Sequence, residues 1–596
     1  MINMNKKILK RAGAAASLLV TLGLSACGGS DNSRDAALEP FYQQTVAWSD
    51  CSTGTFANVT PDLRPVLSGR TQCAMVRVPL DYSDVSKGSV SIGVLKVAAG
   101  TQENRLGALW TNPGGPGVSG LHMPLALSRL WLLANPANPV GAKLLRLSDS
   151  YDLIGFDPRG VGVSTTLTCS STTSLPAVND TDRSAEGINS QIAYDRAVAA
   201  ACGGNPLTPT INTEYTARDM DVIRAALGYD KLNYYGASYG TRLGAYYADL
   251  FADRTGHMIL DSLMDIGLPL PDAFLGQAPS MQYLLDDIIA PYAAAHDSYF
   301  GLGSDVDGIR QIARSGPAWL TSWLAGGLYD LLGNQDDVNG VIVHLVVSKA
   351  VGAILQGNPA ISPDDLYAAL DTMQFLPAAA ADQEVAAHQV AINAATYYRD
   401  FLAGQTQAIA LDASQATSRS VICNDAAPLH RDQPYWTSLG NALAQSSLFG
   451  GGVVGSVQHC LYWSFAPRNP PTFARAAALP LLLLQPEFDA KTPLAGARET
   501  AAILKHSKFV LQETSYTHGA LFTNDACMDD YVANYLLQGS LPSGDAVCAG
   551  AGLPEPGTAS AIQANIAARR LTQPADLFTD PAQAQDLQRQ LRDMIR

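Results

Sequence analysis

The run Tyr235-Gly236-Ala237-Ser238-Tyr239-Gly240 holds a serine in the frame G-x-S-x-G. It follows the short stretch Asn233-Tyr234-Tyr235 and precedes a segment with Leu243, Tyr246, Tyr247 and Leu250 on one helical face. That context predicts a tight strand-to-helix turn with Ser238 at its tip, the flanking glycines removing side chains that would clash. A serine so placed can attack a carbonyl, and the backbone N–H of Tyr239, at a helix N-terminus, points toward the oxyanion that forms. A serine hydroxyl is a poor nucleophile without a base, so further residues are required.

A second oxyanion donor has to come from the loop after the third strand. That loop reads Asn112-Pro113-Gly114-Gly115-Pro116-Gly117, with Gly115 the favoured donor and Gly114 the alternative. Ser119 and Ser164 also stand beside glycines but lack the frame. In a strand–turn–helix site of this kind the chain order is serine, acid, histidine. His459, His506 and His518 are the late histidines. His459 adjoins Cys460 and His506 ends a Lys-flanked helical stretch. His518 lies in a loop after the last expected strand and is chosen as the base. The acid that orients it is expected at Asp489, in Gln485-Pro486-Glu487-Phe488-Asp489 after an apolar run; Glu487 and Asp261 are the competitors. The implied chemistry is acyl transfer, with His518 moving the proton and no cofactor needed. No Cys or Cys/His spacing suits zinc, and no metal is expected.

The elements that must position these residues follow from periodicity. Residues 34–75 read as an irregular lead-in. Short β-like runs occur at 76–80, 90–95, 106–111, 153–156, 233–235 and 258–260, with a helical pattern at 215–227. Strands alternating with helices predict an α/β architecture: a mainly parallel sheet covered on both faces. From 266 to 470 the chain turns Ala-, Leu- and Gln-rich, with helical stretches at 281–295, 341–356 and 383–404 and no strand series, which predicts a helical cap inserted into the core. The sheet resumes at Leu481-Leu482-Leu483-Leu484, a continuous apolar run suited to a strand buried on both faces, and at 509–511. The divisions are therefore a core of 46–265 and 471–548, a cap of 266–470 and a helical tail of 549–596.

The N-terminus has its own pattern. Lys6, Lys7, Lys10 and Arg11 precede a short apolar stretch at 12–24 and then Leu24-Ser25-Ala26-Cys27. This predicts a signal peptide over 1–27 ending in a bacterial lipobox, with Cys27 lipidated, then a flexible tether within a linker of 28–45. The expected site is the bacterial cell envelope, with the lipid as the sole membrane attachment and no transmembrane helix. Eight cysteines remain: Cys51, Cys73, Cys169, Cys202, Cys423, Cys460, Cys527 and Cys548. Export makes disulfides reasonable; spacing alone leaves 105 pairings open, short-range closure being the simplest. Of 596 residues 47% are hydrophobic and 16% charged, as in a globular protein, and 39 basic against 54 acidic residues give a net charge of −15. An acidic surface repels phosphate backbones, which argues against nucleic-acid binding.

At this point the chain resembles a known family. The runs Asn112-Pro113-Gly114-Gly115-Pro116-Gly117-Val118-Ser119-Gly120, Gly155-Phe156-Asp157-Pro158-Arg159-Gly160-Val161-Gly162-Val163-Ser164 and Gly236-Ala237-Ser238-Tyr239-Gly240 look like the tripeptidyl aminopeptidases and their proline-iminopeptidase relatives, which have the α/β-hydrolase fold. Val78-Pro79-Leu80-Asp81-Tyr82, Ile422-Cys423-Asn424-Asp425, Cys460-Leu461-Tyr462-Trp463 and the segment from Cys527 to Cys548 add to the likeness. The resemblance implies an exported serine exopeptidase that removes short peptides from free N-termini, and it supports sequential disulfides. An aminopeptidase also needs an anion for the substrate ammonium; Asp425 is one candidate and Glu384 another. Close relatives with the same triad cleave esters, so a carboxylesterase is the alternative, and a non-catalytic surface lipoprotein is a third reading.

Overall fold

The computed structural model describes residues 29–59, 67, 69–101, 103, 105–377, 381–404, 406–426, 432–556 and 576–595. The signal segment and Cys27 lie outside them. Eleven strands are formed among the described residues: β1 (Thr71–Pro79), β2 (Ser89–Val97), β3 (Gly107–Asn112), β4 (Tyr151–Phe156), β5 (Cys169–Pro176), β6 (Leu232–Ala237), β7 (Thr255–Asp261), β8 (Thr406–Leu411), β9 (Leu482–Pro486), β10 (Lys508–Glu513) and β11 (Ala546–Ala549). Nine of them make one sheet in the order β1-β2-β4-β3-β6-β7-β9-β10-β11. β2 pairs antiparallel with β1 and with β4; every later pairing is parallel.

Burial on both faces explains why the central strands read as continuous apolar runs. Successive side chains of a strand point to opposite faces. Leu481 and Leu483 accordingly join one core cluster, and Leu482 and Leu484 join the cluster on the other side. Tyr234 and Tyr235 divide in the same way. Each fully buried leucine contributes roughly 1.5–3 kcal/mol.

Helix α1 (Gly29–Tyr42) precedes β1, and between the strands run α2 (Met123–Leu132), α3 (Pro139–Ser150), α4 (Ala185–Gly203), α5 (Thr213–Ala226) and α6 (Tyr239–Leu250). Helix α1 corrects the expectation of a linker over 28–45. Its Leu38, Phe41 and Tyr42 pack on the core, and the Tyr42 hydroxyl donates to Asp221 at 2.8 Å. The lead-in is ordered further on by a bridge between Ser49 and Cys73.

From β7 to β9 the chain is mostly helical, with a third apolar cluster of its own. Its longest apolar helix, Val338–Gly357, buries Val341, Ile342, Leu345, Val346 and Val351. The stretch Gln335–Gly357 has a mean hydropathy of 1.8 and the length to cross a membrane, but half of it is buried here. This segment also carries a strand that the sequence pattern did not predict. β8 pairs antiparallel with β5 and ties the helical region to the chain after β4.

The disulfides are Cys51–Cys73, Cys169–Cys202, Cys423–Cys460 and Cys527–Cys548. Cys423, His459 and Cys460 cluster like metal ligands, but both sulfurs belong to the disulfide. The Asp-Pro-Arg-Gly run and the Pro79–Tyr82 run are explained by one buried ion pair. Arg159 reaches Asp219 at 2.6 Å and donates to the carbonyls of Pro79 and Leu80, while the Tyr82 hydroxyl donates to Asp219.

Leu483 is 1% exposed and Val547 is 56% exposed. Leu483→Ala should cost about 2–5 kcal/mol in chemical denaturation. Val547→Ala should stay within about 0.5 kcal/mol. Equal losses at the two positions would contradict this placement of the sheet.

Candidate active site

Ser238 stands between β6 and α6 with φ 57° and ψ −128°, a strained conformation for a residue with a side chain. The turn is tight enough that only glycine fits two residues to either side. A Cβ on Gly236 would lie 2.5 Å from the Gly240 carbonyl, and one on Gly240 would lie 2.8 Å from the Asn112 carbonyl. The loop after β3 presses on the same turn. A Cβ on Gly114 would come within 2.9 Å of the Ser238 Cβ and 3.0 Å of the Tyr239 nitrogen. The Gly114 amide itself donates to the Asn112 side chain at 3.0 Å, which leaves the Gly115 amide as the next donor in the loop. Gly117 packs on the helix Ala413–Asn424, where a Cβ would stand 2.4 Å from the Ser414 carbonyl.

The Nδ1 of His518 lies 2.8 and 3.0 Å from the two Asp489 oxygens, and both residues are about 1% exposed. A proton on Nδ1 satisfies this contact and leaves Nε2 as the basic edge of the ring. Asp489 is held from its own side by the amides of Lys491 and Thr492 and by the Thr492 hydroxyl at 2.7 Å. Burial alone would raise the Asp489 pKa, but the facing His518, the Thr492 amide and the Ser262 hydroxyl outweigh it and hold the carboxyl below its ordinary value. The carboxylate therefore stays charged opposite the imidazole.

Asp261 and Ser262, at the end of β7, join the two halves. The Asp261 carbonyl accepts the Ser238 amide at 3.0 Å. Its carboxylate accepts the amides of Ala520 and Leu521 at 2.8 and 3.0 Å and the Tyr235 hydroxyl at 2.8 Å. The Ser262 hydroxyl accepts the Gly519 amide at 2.7 Å. One dipeptide thus fastens the serine turn and the histidine loop. Asp261 is not the partner of the imidazole, and neither is Glu487, which accepts the Thr514 amide at 2.9 Å. Ser119 and Ser164 bond to Asp157 and serve the turn after β4.

The two candidates for an ammonium anchor are placed otherwise than expected. Both oxygens of Glu384 accept backbone amides, from Phe375 and Leu376, in a turn of the helical segment between β7 and β9. Asp425 is 1% exposed and accepts the Thr213 amide at 3.0 Å. Thr213 in turn shares a 2.6 Å hydrogen bond with the Tyr239 hydroxyl. Asp425 therefore braces the residue after Ser238 from below and is not open to a ligand.

Comparison with known proteins fits this geometry. Residues 112–300 match the family model described as alpha/beta hydrolase fold, and residues 446–548 match that described as TAP-like protein. Over 535 residues the chain is 30% identical to the tripeptidyl aminopeptidase of Streptomyces coelicolor, covering 86% of this chain and 87% of that one. The chain belongs to the tripeptidyl aminopeptidase family of α/β-hydrolases. It is also 26% identical over 557 residues to the serine protease Hip1 of Mycobacterium tuberculosis, covering 90% of this chain and 96% of that one. It is 28% identical over 527 residues to carboxylesterase B of the same species, covering 86% and 91%. As a member of the tripeptidyl aminopeptidase family the chain is a serine hydrolase of the peptidase type.

Burial pushes the Asp425 carboxyl up to about 6, against partial relief from Thr213 and Arg242. The folded protein then holds a proton that the unfolded chain releases between about pH 4 and 6, so this group lowers stability as pH rises through that window. Asp425→Asn should gain on the parent by up to about 3 kcal/mol from pH 4 to pH 7 in parallel denaturation series. A difference that is flat over this range would contradict the buried carboxyl.

Proposed function

We propose that the chain is an exported, lipid-anchored aminopeptidase that releases short peptides from free N-termini through an acyl-enzyme on Ser238. The observation that carries the reading is the Asp489–His518 pair anchored, with Ser238, to Asp261 and Ser262. Such an arrangement can run acyl transfer in two balanced steps. In the first, Nε2 of His518 takes the Ser238 proton as Oγ attacks the carbonyl, and the same proton passes to the leaving amine as the peptide bond breaks. In the second, water gives its proton to His518, attacks the ester and returns Ser238 to its hydroxyl form. The amides of Tyr239 and Gly115 hold the oxyanion in each step. Asp489 keeps the imidazole in the required tautomer and stabilises its charged form.

The peptide substrate follows the tripeptidyl aminopeptidase and Hip1 relatives. Export is supported by the lipobox around Cys27 and by four disulfides. The carboxylesterase relative keeps ester cleavage as the second reading.

Ser238→Ala should fold normally and lose at least about a thousandfold in turnover. The parent enzyme should hydrolyse tripeptide p-nitroanilides with a free N-terminus and lose that activity when the peptide is N-acetylated. Preference for p-nitrophenyl esters, with indifference to acetylation, would establish the esterase instead.

A further inference from the structure

The end of the chain, beyond the TAP-like match that stops at residue 548, returns to the histidine loop. The helix Pro581–Ile595 buries Ala584, Leu587, Leu591 and Ile595 in the same cluster as Ala520, Leu521 and Phe522. Ile595 fills the space that a side chain on Gly519 would need, with its Cδ1 only 2.2 Å from where a Cβ would stand. Gly519 is the neighbour of His518.

One turn earlier on this helix lies Arg592, which is 4% exposed. Its Nη1 donates to the Phe522 carbonyl in the histidine loop, and its Nη2 lies 2.6 Å from the Asp336 carboxylate. Asp336 belongs to the short turn Gln335–Asp337 of the cap. That turn region also holds the histidine loop directly. The Gly333 carbonyl accepts the His518 amide at 2.8 Å, and the Gln335 side chain accepts the Tyr516 amide at 3.3 Å. The contacts therefore close a ring that runs from His518 through Phe522, Arg592 and Asp336 back to the carbonyl bound to His518.

We propose that Arg592 is a positioning residue for catalysis, which uses the Asp336 carboxylate and the Phe522 carbonyl to lock the His518 loop between the cap and the C-terminal helix. The proposal rests on His518 being the base. An arginine suits the task because its planar fork serves two acceptors at fixed angles. Burial of this charge would otherwise be costly, since well-packed apolar residues could fill the same volume at equal or better stability. What apolar residues cannot do is tie a loop carbonyl and a cap carboxylate together.

The decisive variant is the double substitution Arg592→Met with Asp336→Leu, which removes both charges and leaves no buried ion unpaired. It should keep a melting temperature near that of the parent and lower kcat about 10- to 100-fold, the scale of a displaced catalytic group, with a much smaller change in KM. Arg592→Lys, which keeps the charge but loses the planar fork, should recover part of the loss. Should the double variant fold poorly, Asp336→Ala alone removes the acceptor of Arg592 Nη2, cuts the ring at its outer edge and should show the same kcat-selective loss. Substrate is whichever of the tripeptide p-nitroanilide or the p-nitrophenyl ester the parent turns over. A lowered melting temperature with unchanged kcat in these variants overturns the proposal and makes the helix structural packing only. His518→Ala is measured alongside: if it stays active, the base is misassigned, and if it is dead while the double variant is fully active, the ring alone is refuted.

Discussion

The two-residue step Asp261-Ser262 is the constraint on which the site depends. β7 ends there beside β6, and the backbone carbonyl of Asp261 takes the amide of Ser238. Its side chain and that of Ser262 take three consecutive amides from residues 519 to 521. Serine and histidine are 280 positions apart in the chain, yet they are registered against the same few atoms. Ser262 carries a positive φ of 58°, as Ser238 does at 57°, so the strain of the serine turn is matched by strain in its support. Residues held in such conformations persist only when the surroundings over-determine them.

Charge is managed by the same economy. Asp489 and Asp261 are both fully buried carboxyls, but their environments differ. Asp489 faces an imidazole and its carboxyl is held low. Asp261 is pushed up by burial, with only partial relief from the loop amides, the Tyr235 hydroxyl and the more distant His518. One carboxylate is thus kept charged for the base, while the other serves chiefly as a hydrogen-bonding bracket. A site built this way needs little rearrangement when charge develops on a substrate, which is the basis of electrostatic preorganisation.

Much of this was legible in residue order. G-x-S-x-G after a strand marked the turn, because only glycine tolerates the close approach at 236 and 240. The four-leucine run marked β9, because a strand between two helical layers has no polar face. Helix periodicity at 215–227 found α5 within a residue or two. What stayed hidden was long-range pairing. β8 is Thr-Gln-Ala-Ile-Ala-Leu with mostly exposed residues, so it has no buried-strand pattern, and its partner β5 is a serine- and threonine-rich edge. Helix α1 begins in Gly, Ser, Asp and Asn, a composition that reads as a tether until Phe41 and Tyr42 find the core. In sequence Asp261 reads only as a rival acid, since no local signal tells a carboxylate that holds amides from one that holds an imidazole. Asp425 and Glu384 have the charge and location an ammonium anchor needs, but backbone amides claim both instead.

The claim that Ser238 and His518 act as one unit is tested most directly by labelling with a fluorophosphonate and mapping the modified peptide by mass spectrometry. The account predicts a single stoichiometric adduct on Ser238 in the parent and labelling slowed by orders of magnitude in His518→Ala. An adduct on another serine, or equal labelling of Ser238 without the histidine, would contradict it.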